Sequence, residues 1–134
     1  MKNLLIAFVL LLTVSSCLPD KIGKKDPEPE LAGTYQMTRY VEGNKIYIPD
    51  DTDYSGTVNV TKKSDTELSI SVTINVGGTS LNLGSYDNAT ITKSSGSAYD
   101  ILDNGTRVGS INGTNLSASY LTNTGARVSL SAKK

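Results

Sequence analysis

From Leu68 to Val76 the chain alternates without a break: Leu68, Ile70, Val72, Ile74 and Val76 fall on one side, with Ser69, Ser71, Thr73 and Asn75 on the other. Successive side chains of an extended strand point to opposite faces, so this stretch predicts a long strand that is dry on one face and wet on the other. A helix would scatter the same aliphatics around its whole circumference. The two-residue period returns in shorter form at Val58 and Val60, Leu81 and Leu83, Ala89 and Ile91, and Tyr99 and Ile101. It closes with Leu116, Ala118 and Tyr120, then Val128, Leu130 and Ala132. Between these segments stand Gly77-Gly78, Ser95-Gly96, Asn104-Gly105, Asn112-Gly113 and Thr124-Gly125. Glycine and asparagine tolerate the positive φ of tight hairpins, so consecutive strands are predicted to pair antiparallel.

Counted from Gly33, the pattern predicts an all-β domain of eight or nine strands in an antiparallel up-and-down meander. Left open, a meander exposes two edges; closing it into a barrel removes them. The alternative is a β-sandwich, which requires a crossing connection, and Ile48 to Gly56 is the segment available for it. The domain is expected to span 31–134, and no stretch within it carries a helical apolar period.

The segment before it has another character. Residues 1–16 read as an export signal: Lys2 as the basic start, an apolar run from Leu4 to Leu12, and a small polar end at Thr13-Val14-Ser15-Ser16. That run is far short of the roughly 20 residues a spanning helix needs. Val14-Ser15-Ser16-Cys17 resembles the bacterial lipobox, which implies that Cys17, the one cysteine of the chain, takes a diacylglyceryl group as a thioether and that the new amino terminus is acylated, with palmitate as the expected chain type. Each buried CH₂ contributes about 0.8 kcal/mol, and two or three chains make such anchoring stable. Leu18 stands where many Gram-negative lipoproteins carry the Asp that retains them in the inner membrane, so the resemblance implies the outer membrane, on its periplasmic or its outer face. Residues 17–30, with Pro19, Pro27 and Pro29 among alternating charges, read as a flexible tether. In polyproline geometry, at about 3.1 Å per residue, residues 18–30 reach roughly 40 Å.

Leu31-Ala32-Gly33-Thr34-Tyr35, opening the first strand just after the tether, resembles the Gly-X-Trp opening of lipocalins and other calycins, with Tyr in place of Trp. The resemblance implies a lipocalin-like barrel with a basic residue of the last strand near its floor. Arg127 is the candidate for stacking on the Tyr35 ring in a cation–π contact. Thr52-Asp53-Tyr54 reproduces a lipocalin tripeptide but lies in the first long loop. Candidate pocket residues are Tyr35, Met37, Tyr99 and Tyr120, with flat or flexible apolar side chains, and Arg39, which shares strand parity with Tyr35 and Met37. Arg39 meets a ligand head group if that parity holds, and faces water if a bulge intervenes. Tyr40, Tyr47 and Tyr86 offer further aromatic faces.

Composition narrows the chemistry. The 13 basic and 13 acidic residues are balanced and scattered, which argues against nucleic acid as a partner. Histidine is absent, so the Ser and Thr hydroxyls lack the usual base, and no nucleophilic constellation or carboxylate pair stands out; the chain is not expected to be an enzyme or to hold a cofactor. Asp50, Asp51 and Asp53 have hard oxygens for calcium but lack a binding-loop spacing, and read as a solvated turn. Asn59, Asn88, Asn104 and Asn112 begin Asn-x-Ser/Thr triplets of the kind that Asn-rich turns and Thr-rich strands generate by chance. The expectation is a lipid-anchored envelope lipoprotein whose domain binds a small hydrophobic ligand or serves as an accessory binding domain. Its rival is a solid-core structural module, or one that contacts protein or glycan, without a pocket. A cavity behind Tyr35, Met37, Tyr99 and Tyr120 would mark the first; Leu68, Ile70, Val72 and Ile74 filling the centre would mark the second.

Overall fold

A computed structural model describes residues 27–49, 53–121 and 125–134. Nine strands follow one another: β1 (Gly33–Glu42), β2 (Lys45–Tyr47), β3 (Tyr54–Lys62), β4 (Glu67–Val76), β5 (Thr79–Lys93), β6 (Tyr99–Asp103), β7 (Thr106–Ile111), β8 (Asn115–Leu121) and β9 (Arg127–Lys133). Every pairing is antiparallel, and from β3 to β9 each strand pairs with the next. Strand β1 pairs with β3 through Gly33–Gln36 and with β9 through Gln36–Glu42, which closes eight strands into a barrel. The short β2 lies outside that circuit, on the end of β1. Closure sets the sandwich aside, and the segment reserved for its crossing connection contains the start of β3, where Tyr54 pairs with Val76.

The alternating aliphatics do what their period requires. Leu68, Ile70, Val72 and Ile74 are all buried, alongside Tyr35, Val58, Ile101, Ile111, Leu116 and Val128 in one continuous core. Burying such a side chain contributes about 1.5–3 kcal/mol. At Asn104-Gly105, φ values of 48° and 80° make the two-residue hairpin between β6 and β7 that the dipeptide predicted.

Four bulges interrupt the register, and they account for the departures from simple alternation. In β5 the inward residues run Leu83, Tyr86, Ala89 and Ile91, because shifts opposite Val72/Thr73 and Leu68/Ile70 each insert one residue. What reads as two short strands around 81–83 and 89–91 is therefore one strand of 15 residues. In β1 the shift falls between Met37 and Arg39, so the inward parity passes from Met37 to Tyr40. A fourth lies in β7 at Val108, opposite Ile101/Leu102.

The meander gives the barrel two unlike ends. At the floor, Leu31 is buried under the start of β1, and its carbonyl accepts a 2.8 Å hydrogen bond from the Tyr35 hydroxyl. At the mouth, the ends of β1, β4 and β8 and the starts of β3 and β5 meet, together with β2. Ile46, Ile48, Val76, Leu81 and Leu121, the large exposed apolar side chains among the described residues, belong to these mouth-end segments.

Candidate functional site

The residues expected to line one pocket are distributed through the barrel. Tyr35 is fully buried near the floor, Met37 is buried midway along β1, and Tyr99, also buried, begins β6 at the floor end. Tyr120 lies half-buried towards the mouth. Arg39, beyond the β1 bulge, is exposed. The bulge reading of Arg39 holds, and the guanidinium does not enter the barrel. Arg127 begins β9 at the mouth end, opposite Leu121, and is exposed. It is not the cation on Tyr35: that position belongs to Lys134, whose ammonium sits 5.7 Å from the ring centroid. Strand β9 runs from mouth to floor, so a residue at its start cannot reach a ring at the floor. Cys17, its lipobox and most of the tether lie outside the described residues, as do Asp50 and Asp51. Asp53 is exposed, with its carbonyl accepting the Gly77 amide at 3.0 Å.

The centre is packed. The void enclosed by Val58, Ile70, Val72, Ile101 and Leu116 measures about 20 Å³, close to the space one water requires. An eight-stranded barrel is only just wide enough for its own side chains, and here the β4 aliphatics occupy it. Gly56 supplies part of the fit: a Cβ there would come within 2.9 Å of the Met37 sulfur. That same sulfur accepts the Tyr54 hydroxyl at 3.0 Å.

Two concavities outside the core, among the described residues, have the room for a ligand. The first is a cup of about 310 Å³ in the mouth, walled by Tyr40, Tyr47, Tyr54 and Tyr120 with Ile74, Val76, Leu81 and Leu83. The Tyr47 and Tyr54 ring centroids stand 5.3 Å apart, with Tyr40 at 5.8 and 6.2 Å from them. Burial raises the hydroxyl pKa of Tyr54, the charges of Tyr40, Tyr120 and Tyr47 adding to it. Burial also pushes Tyr120 up to about 12, with smaller contributions from Tyr40, Tyr86 and Glu42. These phenols stay neutral across the physiological range and present hydrogen-bonding tips on apolar walls. Sequence reasoning overlooked Tyr54 because the residues before it read as loop. Its parity with Gly56, Val58 and Val60 was the available signal.

The second concavity is a groove of about 830 Å³ where β7 leaves β8. The two strands pair at Gly109–Ala118, Ser110–Ser117 and Ile111–Leu116, with no pairing recorded between Thr106–Val108 and Ser119–Leu121. Gly109 marks the fork: its backbone lies against the Ser117 carbonyl and leaves no room for a Cβ. The outward row Ser117, Ser119, Ser129 and Ser131 forms one side, with Ser117 opposite Ser131 and Ser119 opposite Ser129. Arg107 lies across from them, bound to Asp100 at 2.8 Å, and Arg127 stands at the mouth end. Tyr86 and Tyr120, edge to face at 5.7 Å, separate this groove from the interior. No local sequence pattern announced the groove, which depends on where two strands part.

The fold and its concavities thus define a closed antiparallel eight-stranded barrel with one added strand and a filled centre. No protein-family model matches the chain, and neither a curated protein nor a solved structure matches it significantly.

Proposed function

We propose that this protein is a lipid-anchored envelope module that recognises a partner at its surface, the solid-barrel alternative to a carrier with an internal ligand. The observation that carries the reading is the packed centre: a void of about 20 Å³ holds no fatty acid or similar cargo, whereas ligand pockets run to several hundred Å³. The lipobox resemblance of Val14-Ser15-Ser16-Cys17 supports anchoring at the outer membrane. The course of the chain supports an orientation as well. Residues approaching β1 dock on the floor, with Pro29 and Glu30 against Gly113 and the Lys134 ammonium donating to the carbonyls of Glu30 and Ala32. The chain therefore enters the barrel at its floor, and the reading has the mouth, at the opposite end, meet the partner.

A second reading keeps the small hydrophobic ligand but moves it to the mouth, where the tyrosine-walled cup has the size for a compact aromatic or short aliphatic molecule. Native mass spectrometry of the full chain carrying Cys17→Ala, before and after denaturation, separates the two. The surface reading expects the apo mass throughout, and an adduct lost on unfolding overturns it in favour of the cup. Anchoring is tested on the same variant, which is expected to leave the membrane fraction; retention there in high salt would refute lipidation.

A further inference from the structure

The β7–β8 groove has a chemistry distinct from that of the tyrosine cup. Its long side is a row of four serine hydroxyls on β8 and β9, all outward-facing. Ser117 shares a 3.0 Å hydrogen bond with Ser110, but an apolar ligand laid along the row would strip Ser119, Ser129 and Ser131 of water and return no hydrogen bond, at a cost for each. Two guanidinium groups, of Arg107 and Arg127, line the groove against the single carboxylate of Asp103. Arg107 is already neutralised by Asp100, but Arg127 has no ion pair among the described residues. The phenols of Tyr86 and Tyr120 form its inner wall. The groove is open to solvent, about 830 Å³ in volume, and so suits a chain laid along the surface rather than a molecule enclosed by the protein.

We propose that this groove binds an acidic oligosaccharide, its hydroxyls on the serine row and its carboxylate on Arg127. This rests on the surface-recognition reading above and names the partner class for it. A sugar chain matches each wall: it exchanges hydrogen bonds with serine, bears carboxylates that can pair with Arg127, and has C–H faces that lie on aromatic rings. An extended peptide matches less well. Adding a strand draws its affinity from a run of main-chain bonds, and the unpaired stretch of β8 extends only from Ser119 to Leu121.

The test is a titration of the full chain carrying Cys17→Ala with tetragalacturonate and sialyl- and glucuronyl-oligosaccharides, using maltotetraose as the neutral control, followed by calorimetry and amide chemical shifts. At least one acidic sugar is expected to bind, more weakly as salt screens the charge, with shifts confined to β7, β8 and β9. Arg127→Gln and Ser119→Val should each weaken it by about tenfold or more, a loss of roughly 1.4 kcal/mol. Lys93→Gln, on the floor end of β5, should not. No binding by any acidic sugar, equal binding of maltotetraose, or unchanged affinity in Arg127→Gln overturns the proposal. Shifts confined to Tyr47 and Tyr54, or groove shifts produced only by an extended peptide, overturn it while leaving surface recognition standing. A lipid adduct in the native mass spectrum removes the underlying reading instead.

Discussion

The ammonium of Lys134 lies 5.7 Å over the ring of Tyr35 and donates at the same time to the carbonyls of Glu30 and Ala32, at 3.1 and 2.5 Å. One side chain thereby ties the end of the last strand to the approach and start of the first. Tyr35 completes the arrangement by donating its hydroxyl to Leu31. The floor of the barrel is therefore closed by interactions between residues about a hundred positions apart in sequence.

Lys134→Met keeps most of the apolar stem and removes the charge, so it isolates this contact. The ring contact contributes about 0.5–1 kcal/mol at an exposed site, and exposed hydrogen bonds add about as much. Urea unfolding should show a loss of about 1–1.5 kcal/mol. Arg127→Ala, at the other end of β9, should change stability by less than about 0.5 kcal/mol. Equal losses from the two would contradict the placement of the cation.

The packed centre makes a quantitative demand on β4. Leu68 is fully buried at the floor end of that strand, and truncating such a side chain in a dense core costs about 2–5 kcal/mol. Leu68→Ala is expected to fall in that range by denaturant unfolding. A loss below about 1 kcal/mol would mean a loose interior and would reopen the case for internal cargo.

Much of the fold was legible because period-two alternation is a direct consequence of strand geometry, and β4 carries it unbroken. The barrel followed from short turns and the need to remove two sheet edges. What escaped reading was set by bulges and by distance. The inserted residue in β1 decided between the two readings of Arg39 in favour of water, and two in β5 disguised one strand as two. The resemblance to lipocalins directed attention to Arg127, whereas the cation on Tyr35 came from a lysine that lies beyond the last alternating residue, Ala132. The pocket residues were sought by strand parity, which finds inward side chains but says nothing about whether they leave space. Tyr35 and Met37 point inward and leave none. The groove arises from the parting of β7 and β8, which no local pattern in the sequence announces.

Gly109 is the position where that parting is most sensitive. A Cβ there collides with the Ser117 carbonyl, which is backbone and cannot swing aside. Gly109→Ala should force β7 off β8 along the remaining pairs and cost about 2–3 kcal/mol. Hydrogen exchange should show faster exchange of the Ser110 and Ile111 amides, with β3–β4 amides retaining their native-state protection. If the variant is as stable as the parent, the strands are not in contact at the fork.

The buried and half-buried tyrosines give the protein a stability limit on the alkaline side. A free phenol ionises near pH 10, and burial, with help from neighbouring charges, holds Tyr120 to about 12 and raises Tyr54, Tyr40, Tyr86 and Tyr35 as well. The folded chain therefore binds these protons more tightly than the unfolded chain. Linkage then fixes the sign: the associated stability is complete below about pH 10 and is lost as pH rises towards 12. Ultraviolet titration of the folded protein should show several phenols ionising late, and the delay should vanish in denaturant. Tyr120→Phe should remove one late phenol and reduce the alkaline loss of stability. If the variant keeps every late phenol and loses one that ionises near pH 10 instead, Tyr120 stands in water, and the wall between the groove and the core would have to be redrawn.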